Sequence, residues 1–353
     1  MAGLDPAISE RLGPHDPYLE CGRCPCPRDL LAWAGTGRNL HMTTVVIGGA
    51  GFIGRRLIPR LVERSERVVC VDIDPAGADA FASLGDKVTV ERGDVTQFDD
   101  VMSAVVRHKP ERLVNLSYFI GLLPAHRATK LNIVGMDNCF EAARLGGVAH
   151  TLYASSIAVN GKQSFFGDRA ATEDDLMYGD FQYAHCKIFN EWQARDYADQ
   201  YGMTITGIRP ANVTGFDKIF GSIDHVNCIT FPARGKPLTL PVADAMRVPI
   251  HVDDIAEAFA RVTLTDKPKQ RIYNSGGTTL SLGEIAVIVR GFLPDADIRF
   301  EKETGGRAVN ENYLVDNSRL VEEFGLQIPP FRDRVLQIIN DVRQADGKPP
   351  IKG

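Results

Sequence analysis

The chain has 353 residues, enough to bury a large core in one domain or in a domain with a smaller lobe. A formal net charge of −5, with no Lys/Arg tract, argues against a nucleic-acid partner. Every apolar run is interrupted before the roughly 18 residues that a membrane span needs, so no membrane association is expected. Seven scattered cysteines, Cys21, Cys24, Cys26, Cys70, Cys139, Cys186 and Cys228, read as reduced thiols of a cytoplasmic protein rather than a disulfide framework. A zinc site on Cys21, Cys24 and Cys26 would need a further ligand, with only His15 and His41 nearby, and no metal is predicted.

Residues 1–41 are rich in Pro and Gly, lack sustained periodicity and carry no signal-peptide pattern. Met42 directly precedes the first strand. Residues 1–41 are therefore expected to be a dispensable leader, disordered or non-native.

Thr43-Thr-Val-Val-Ile47 reads as a buried parallel strand, broken by Gly48, Gly51 and Gly54 and continued by a helix with apolar residues at Phe52, Ile53, Leu57, Ile58, Leu61 and Val62. Such a turn lets backbone approach a pyrophosphate, and the helix N-terminus meets its charge. Val68-Val-Cys-Val-Asp72 is a second strand ending in an acid 24 residues beyond Gly48, near the roughly 20 expected of a carboxylate that bonds ribose hydroxyls. That acid repels a 2′-phosphate, so the cofactor expected is NAD rather than NADP.

Further strands follow at Lys87–Glu91, Arg112–Leu116, Thr151–Ser155 and Thr204–Arg209, with helices near 97–108, 126–145 and 180–201. This alternation predicts right-handed crossovers and a Rossmann-type doubly wound parallel α/β sheet, with ligands at the carboxyl ends of its strands. Residues 42–215 should form mainly the NAD-binding domain. Residues 216–353 should form mainly a smaller C-terminal α/β substrate lobe, with some segments returning to the first. Within it, Phe216–Met246 looks long and loop-rich, Asp253 or Asp254 fits the N-cap of a helix at 255–262, Ser281 with Glu284 forms a capping box, and a last helix spans 331–342.

Tyr183-Ala-His-Cys-Lys187 puts Tyr and Lys on one helix face. Alone, that spacing is common on solvated helices. Its weight comes from order: glycine turn, strand-end acid, Asn132 in a helix, strand-end Ser156, then Tyr183 and Lys187.

Taken together, these residues resemble the extended branch of the short-chain dehydrogenase/reductases, the NAD-dependent epimerase/dehydratase family. The resemblance runs from about Met42 to the last helix. It matches Gly48, Gly51 and Gly54 to the family's Gly-x-x-Gly-x-x-Gly, Asp72 to its ribose acid, and Asp94-Val95 to its adenine-side pair. Asn132 matches its helix asparagine, Ser155-Ser156 its strand-end serines, and Tyr183 with Lys187 its Tyr-x-x-x-Lys. The implied cofactor contacts are Gly48, Gly51, Phe52, Ile53, Gly54, Asp72, Asp94, Val95, Leu116, Asn132, Tyr183 and Lys187. The implied substrate contacts are Tyr118, Ser156, Asn212 and Arg247. A homodimer through the helices near 126–145 and 183–201 is implied as well.

A free tyrosine, with pKa near 10, is a poor base at neutral pH, and an adjacent ammonium favours its phenolate. The expected chemistry is hydride transfer at a secondary hydroxyl of a sugar, nucleotide sugar or similar polyol, with Tyr183 as base, Ser156 bonding the reacting oxygen and Lys187 holding the nicotinamide ribose. Ile157 and Ala158 stand where sugar dehydratases of the family carry Asp-Glu, which argues against dehydration. Asn160 stands where tyrosine is usual, Ile47 replaces the threonine often preceding the glycines, and Asn115-Leu-Ser-Tyr118 replaces a commoner His-Leu-Ala-Ala. A bulky Tyr118 disfavours a standard nucleotide-sugar pose, leaving net oxidation of a non-nucleotide alcohol as the alternative. A non-catalytic dinucleotide sensor predicts loss of the serine, tyrosine or lysine, and all three positions are filled.

Overall fold

Seven parallel strands form the centre of the chain: β1 (Thr43–Ile47), β2 (Arg67–Asp72), β3 (Val88–Arg92), β4 (Arg112–Asn115), β5 (His150–Ala154), β6 (Ile205–Arg209) and β9 (Ile272–Asn274). They lie in the order β9-β6-β5-β4-β1-β2-β3. The computed structural model describes residues 42–64, 66–121, 123–305 and 312–353, so the leader and cysteine cluster expected within 1–41 lie outside the described residues. β1 pairs with β2 on one side and β4 on the other, with Val46 opposite Cys70 and Val114. The strand order reverses there, which opens a crevice at the carboxyl end of β1.

Period-2 alternation divides β1 between two cores. Val46, with Cys70, Val114, Leu152 and Ile208, packs against α1 (Gly54–Glu63) and α6 (Val252–Thr263). Val45 and Ile47 point to the other face, against α2 (Phe98–His108) and the long helix α3. The sheet is therefore covered on both faces, and each fully buried Val, Leu or Ile contributes about 1.5–3 kcal/mol.

The helix expected near 126–145 is α3, which runs as Ala125–Ala128, a π-helical turn Thr129–Val134 and then Gly135–Gly146. Asn132 falls inside the π turn. Such a turn displaces a main-chain carbonyl from its helical partner, and here the Asn132 carbonyl accepts from Asn190 Nδ2 at 2.9 Å. That donor belongs to α4 (Gln182–Tyr201).

Beyond β6 and the short β7 (Asn212–Thr214), the stretch that looked loop-rich contains a helix and a strand: α5 (Asp224–Ala233) and β8 (Leu238–Val242). Helix α5 carries β-branched residues and Pro232 and is buried on most of its surface, so its sequence shows no amphipathic period. It packs with α7 (Leu282–Phe292) and α8 (Phe331–Ala345) in a third core that includes Ile229, Ile285, Val289, Val335 and Ile339. The capping box of α7 forms as expected, Ser281 and Glu284 bonding each other's backbone amides. The expected aspartate cap of α6 is corrected: its N-cap is His251, whose ring nitrogen accepts from the Asp253 amide at 3.2 Å. Asp253 and Asp254 lie in the first turn instead, where they favour the helix dipole and pair with Arg60 and Arg334.

Candidate active site

The turn after β1 is built so tightly that its glycines cannot be exchanged freely. Gly48 has φ +74°, and a Cβ there would lie 2.7 Å from the Ser117 nitrogen. At Gly54 a Cβ would fall 2.7 Å from the Gly49 Cα, inside backbone. Gly51 differs, since among the described residues its only close neighbour would be the Gly48 carbonyl oxygen at 3.1 Å, and it is exposed. The turn thus presents an open backbone cradle at the start of α1, which fits a pyrophosphate. Asp72 stands beside it at the end of β2, accepting from the Ala50 amide at 3.0 Å and the Asp74 amide at 3.1 Å. Burial pushes its carboxyl pKa up while those amides pull it down.

Around this cradle lie the other expected cofactor contacts. Ile53 is the N-cap residue of α1, and Phe52 carries the Arg56 guanidinium over its ring and abuts Gly215. Leu116 donates its amide to the Ile47 carbonyl at 2.9 Å, extending the sheet by one bond. Asp94 accepts from the Thr96 amide at 2.8 Å, and Val95 is buried against Gly135. Asn132 clamps the chain near Phe119, its side chain accepting from the Phe119 amide at 3.1 Å and donating to the Phe119 carbonyl at 3.2 Å.

Ser156, Tyr183 and Asn212 line one cavity of about 410 Å³, with Ile120, Ile157, Ala158, Phe181 and Lys218. Ser156 accepts from the Ala158 amide at 3.1 Å. Lys187 is 1% exposed and donates to the Ala154 carbonyl at 2.5 Å. Its ammonium stands 3.2 Å from the centre of the Tyr118 ring and 5.6 Å from that of Tyr183. The two tyrosines meet edge to face, with centroids 5.4 Å apart. Tyr118 therefore packs against both Tyr183 and Lys187, seating the ammonium on its π face. Its own hydroxyl is buried with the Cys186 thiol, a weak hydrogen-bonding group, as its polar neighbour. Burial drives the Lys187 pKa well below the usual lysine value, with Glu191 pulling it upward.

Glu191 was not singled out from sequence, although its i,i+4 spacing from Lys187 was a signal. Its carboxylate accepts from Ser155 Oγ at 2.5 Å and from Arg209 Nε and Nη2 at 2.8 and 2.7 Å, tying α4 to the ends of β5 and β6.

The two polar residues expected to meet substrate are both engaged. Asn212 Oδ1 accepts from the Val248 amide at 2.7 Å. Arg247 donates Nε to Asp224 Oδ1 at 3.0 Å and Nη2 to Asp224 Oδ2. Its partner lies on another element, so no sequence spacing announced the pair. Lys218 also lines the cavity, and burial pushes its pKa down to about 8. Among the described residues no group of three His, Cys, Asp or Glu is placed to hold a metal, and no helix is long and apolar enough to cross a membrane.

This arrangement can hold a dinucleotide across the end of the sheet and present a phenol and a serine hydroxyl to one small cavity, with a buried ammonium near the phenol ring. Comparison with known proteins points the same way. A UDP-glucose 4-epimerase of Mycolicibacterium smegmatis is 28% identical over 270 residues, 72% of this chain and 84% of that protein. A 3-beta-hydroxysteroid dehydrogenase of Mycolicibacterium neoaurum is 26% identical over 194 residues, 51% of each chain. Among solved structures, the Thermus thermophilus UDP-glucose 4-epimerase complex with NAD shares the fold, with a TM-score of 0.74, 22% identity and coverage of 86% of this chain and 100% of that one. The model of the NAD dependent epimerase/dehydratase family matches residues 44–276. The chain belongs to the NAD-dependent epimerase/dehydratase family of enzymes.

Proposed function

We propose that this chain uses NAD to oxidise a secondary alcohol carbon, with Tyr183 as general base. The observation that supports this most is the shared cavity of Ser156 and Tyr183, with the Lys187 ammonium beneath the Tyr183 ring. NAD would supply the hydride acceptor, held by the Gly48–Gly54 turn, Asp72, Asp94, Val95, Leu116 and Asn132. Tyr183 takes the proton of the substrate hydroxyl, Ser156 bonds the same oxygen, and Lys187 stabilises the phenolate and holds the nicotinamide ribose. With Ile157 and Ala158 in place of proton-moving side chains, elimination of water is not part of the reaction.

Two overall reactions share this first half. Kinship with UDP-glucose 4-epimerases supports transient oxidation of a sugar or nucleotide sugar, with NAD retained. Net oxidation of a non-nucleotide alcohol is supported by the Arg247–Asp224 pair, which uses up a cation that a diphosphate would need. Accumulation of free NADH on adding substrate marks net oxidation. Tyr183→Phe should lower turnover by about 10² to 10⁴ with NAD affinity retained, and near-normal turnover would overturn the proposal.

A homodimer through α3 and α4 belongs to the same proposal, supported by the exposure of Val134, Phe189 and Trp192 on those helices. Light scattering on the purified chain tests it, and a monomer at micromolar concentration would refute it.

A further inference from the structure

We infer that the substrate of the Ser156–Tyr183 cavity is a secondary alcohol carried on an apolar, alicyclic or aryl-alkyl frame, and that it is oxidised to the ketone with release of NADH. The inference rests on the proposed role of Tyr183 and narrows the substrate class.

The mouth of the cavity carries the first argument. Two loops meet there, Ser117–Gly121 and Asp217–Ser222, and they present hydrophobic side chains to water. Ile219 is 71% exposed and Phe220 61%, with Ile120 and Phe181 also exposed. The Phe119 and Phe220 rings lie 6.4 Å apart across the mouth, and Ile120 fills the space over Gly221. On the inner side, Phe181 stacks on the Tyr183 ring with centroids 6.2 Å apart. Contiguous exposed apolar surface at a cavity mouth marks where an apolar ligand is buried.

Charge carries the second argument. A nucleotide sugar brings a diphosphate, which needs free guanidinium or ammonium groups. Near this cavity Arg247 is committed to the protein, gripping Asp224 with two nitrogens. On the cofactor side Arg55 and Arg56 both grip Asp217. Lys218 lines the cavity and donates to the Val213 carbonyl at 2.7 Å, and burial, which pushes its pKa down to about 8, weakens it as a charge for phosphate. A diphosphate that recruited Arg247 would leave the Asp224 carboxylate facing it, like charge against like. A neutral alcohol meets no such cost, and Ser156 with Tyr183 suffices to orient one hydroxyl.

The balance of the step is simple. The alcohol carbon loses hydride to NAD and its oxygen loses a proton to the Tyr183 phenolate, so C–O becomes C=O and NADH forms. The proton then passes from Tyr183 to water.

The test uses the purified full chain with NAD and follows NADH by its absorbance. The probes are a 3β-hydroxysteroid and 1-phenyl-2-propanol on one side, UDP-glucose and UDP-galactose on the other. The expected result is NADH formation from an apolar alcohol with kcat/KM at least about tenfold above either UDP-hexose, a difference of about 1.4 kcal/mol. Ile120→Asp and Phe220→Asp change exposed rim positions, so the fold should survive by circular dichroism, and each should raise KM for the apolar alcohol about tenfold. More efficient oxidation or epimerisation of a UDP-hexose overturns the apolar assignment, as does absence of turnover with every probe while NAD binds. Loss of UDP-hexose turnover in Tyr183→Phe would then leave the proposed base standing. An apolar alcohol oxidised equally well by Tyr183→Phe would instead sink the base while sparing the substrate class.

Discussion

Gly51→Ala and Gly54→Ala separate the two things the glycine turn does. A Cβ at Gly51 meets only the Gly48 carbonyl oxygen, at 3.1 Å, so the neighbour must yield by a few tenths of an ångström. Replacing Gly by Ala at a compatible backbone position stabilises by about 0.4–1 kcal/mol through the unfolded chain, which roughly offsets that contact. The methyl nevertheless stands on the surface that backbone must offer to pyrophosphate. We expect unchanged stability and ten- to hundredfold weaker NAD binding, about 1.4–2.8 kcal/mol. A Cβ at Gly54 would lie 2.7 Å from the Gly49 Cα and carbonyl carbon, where ordinary contact begins at 3.4 Å. The Gly49 carbonyl oxygen would lie closer still, so the helix must retreat, and overpacking of that kind costs about 1–3 kcal/mol. Gly54→Ala should therefore lose stability and NAD affinity together. Calorimetric titration with NAD and urea denaturation of both variants measure this. Gly51→Ala that binds NAD within about twofold of the parent chain would refute the assignment of the turn to pyrophosphate.

Tyr118→Phe keeps the ring face under Lys187 and removes a buried hydroxyl whose polar neighbour is the weakly bonding Cys186 thiol. It should leave stability unchanged or raise it by up to about 1 kcal/mol, and a loss of about 2 kcal/mol in denaturant melts would show that the hydroxyl is bonded. Glu191→Ala strands the buried Arg209 guanidinium, and a cost of about 3–5 kcal/mol is expected; a urea midpoint close to the parent's would contradict it. His150 is buried between Thr206 and Thr263, and burial pushes its pKa down to about 4 from the ordinary 6.5. The unfolded chain binds that proton first, so the His150 contribution to stability is present above pH 6.5 and is lost as pH falls toward 4. Imidazole nitrogen NMR should find the ring neutral down to about pH 5, whereas a midpoint near 6.5 would refute the burial argument.

How much of this was legible in the sequence depends on the range of the forces involved. The inner strands of the central sheet could be read because both faces are buried, which makes them continuous apolar runs such as Thr43–Ile47 and Arg67–Asp72. The glycine turn, the acid ending β2 and the capping box of α7 are local chemistry written within a few residues. Helix α5 escaped notice because burial on most of its surface erased the amphipathic period. The His251 cap was missed because Asp253 and Asp254 offered a commoner capping chemistry two positions later.

At the candidate site, sequence by itself determined the residue types and their order along the chain: Gly48, Gly51, Gly54, Asp72, Asn132, Ser156, Tyr183 and Lys187. Local propensity and spacing suffice for that, because each belongs to one strand end or one helix face. What those side chains face was decided only in three dimensions. Tyr118 seats the Lys187 ammonium across a gap of 69 positions in the chain, Asp224 takes the Arg247 guanidinium from 23 positions away, and Arg209 reaches back to Glu191 on α4. Charge and packing act through space, so the partners that take up Lys187, Arg247 and Arg209 became visible only once the chain had folded.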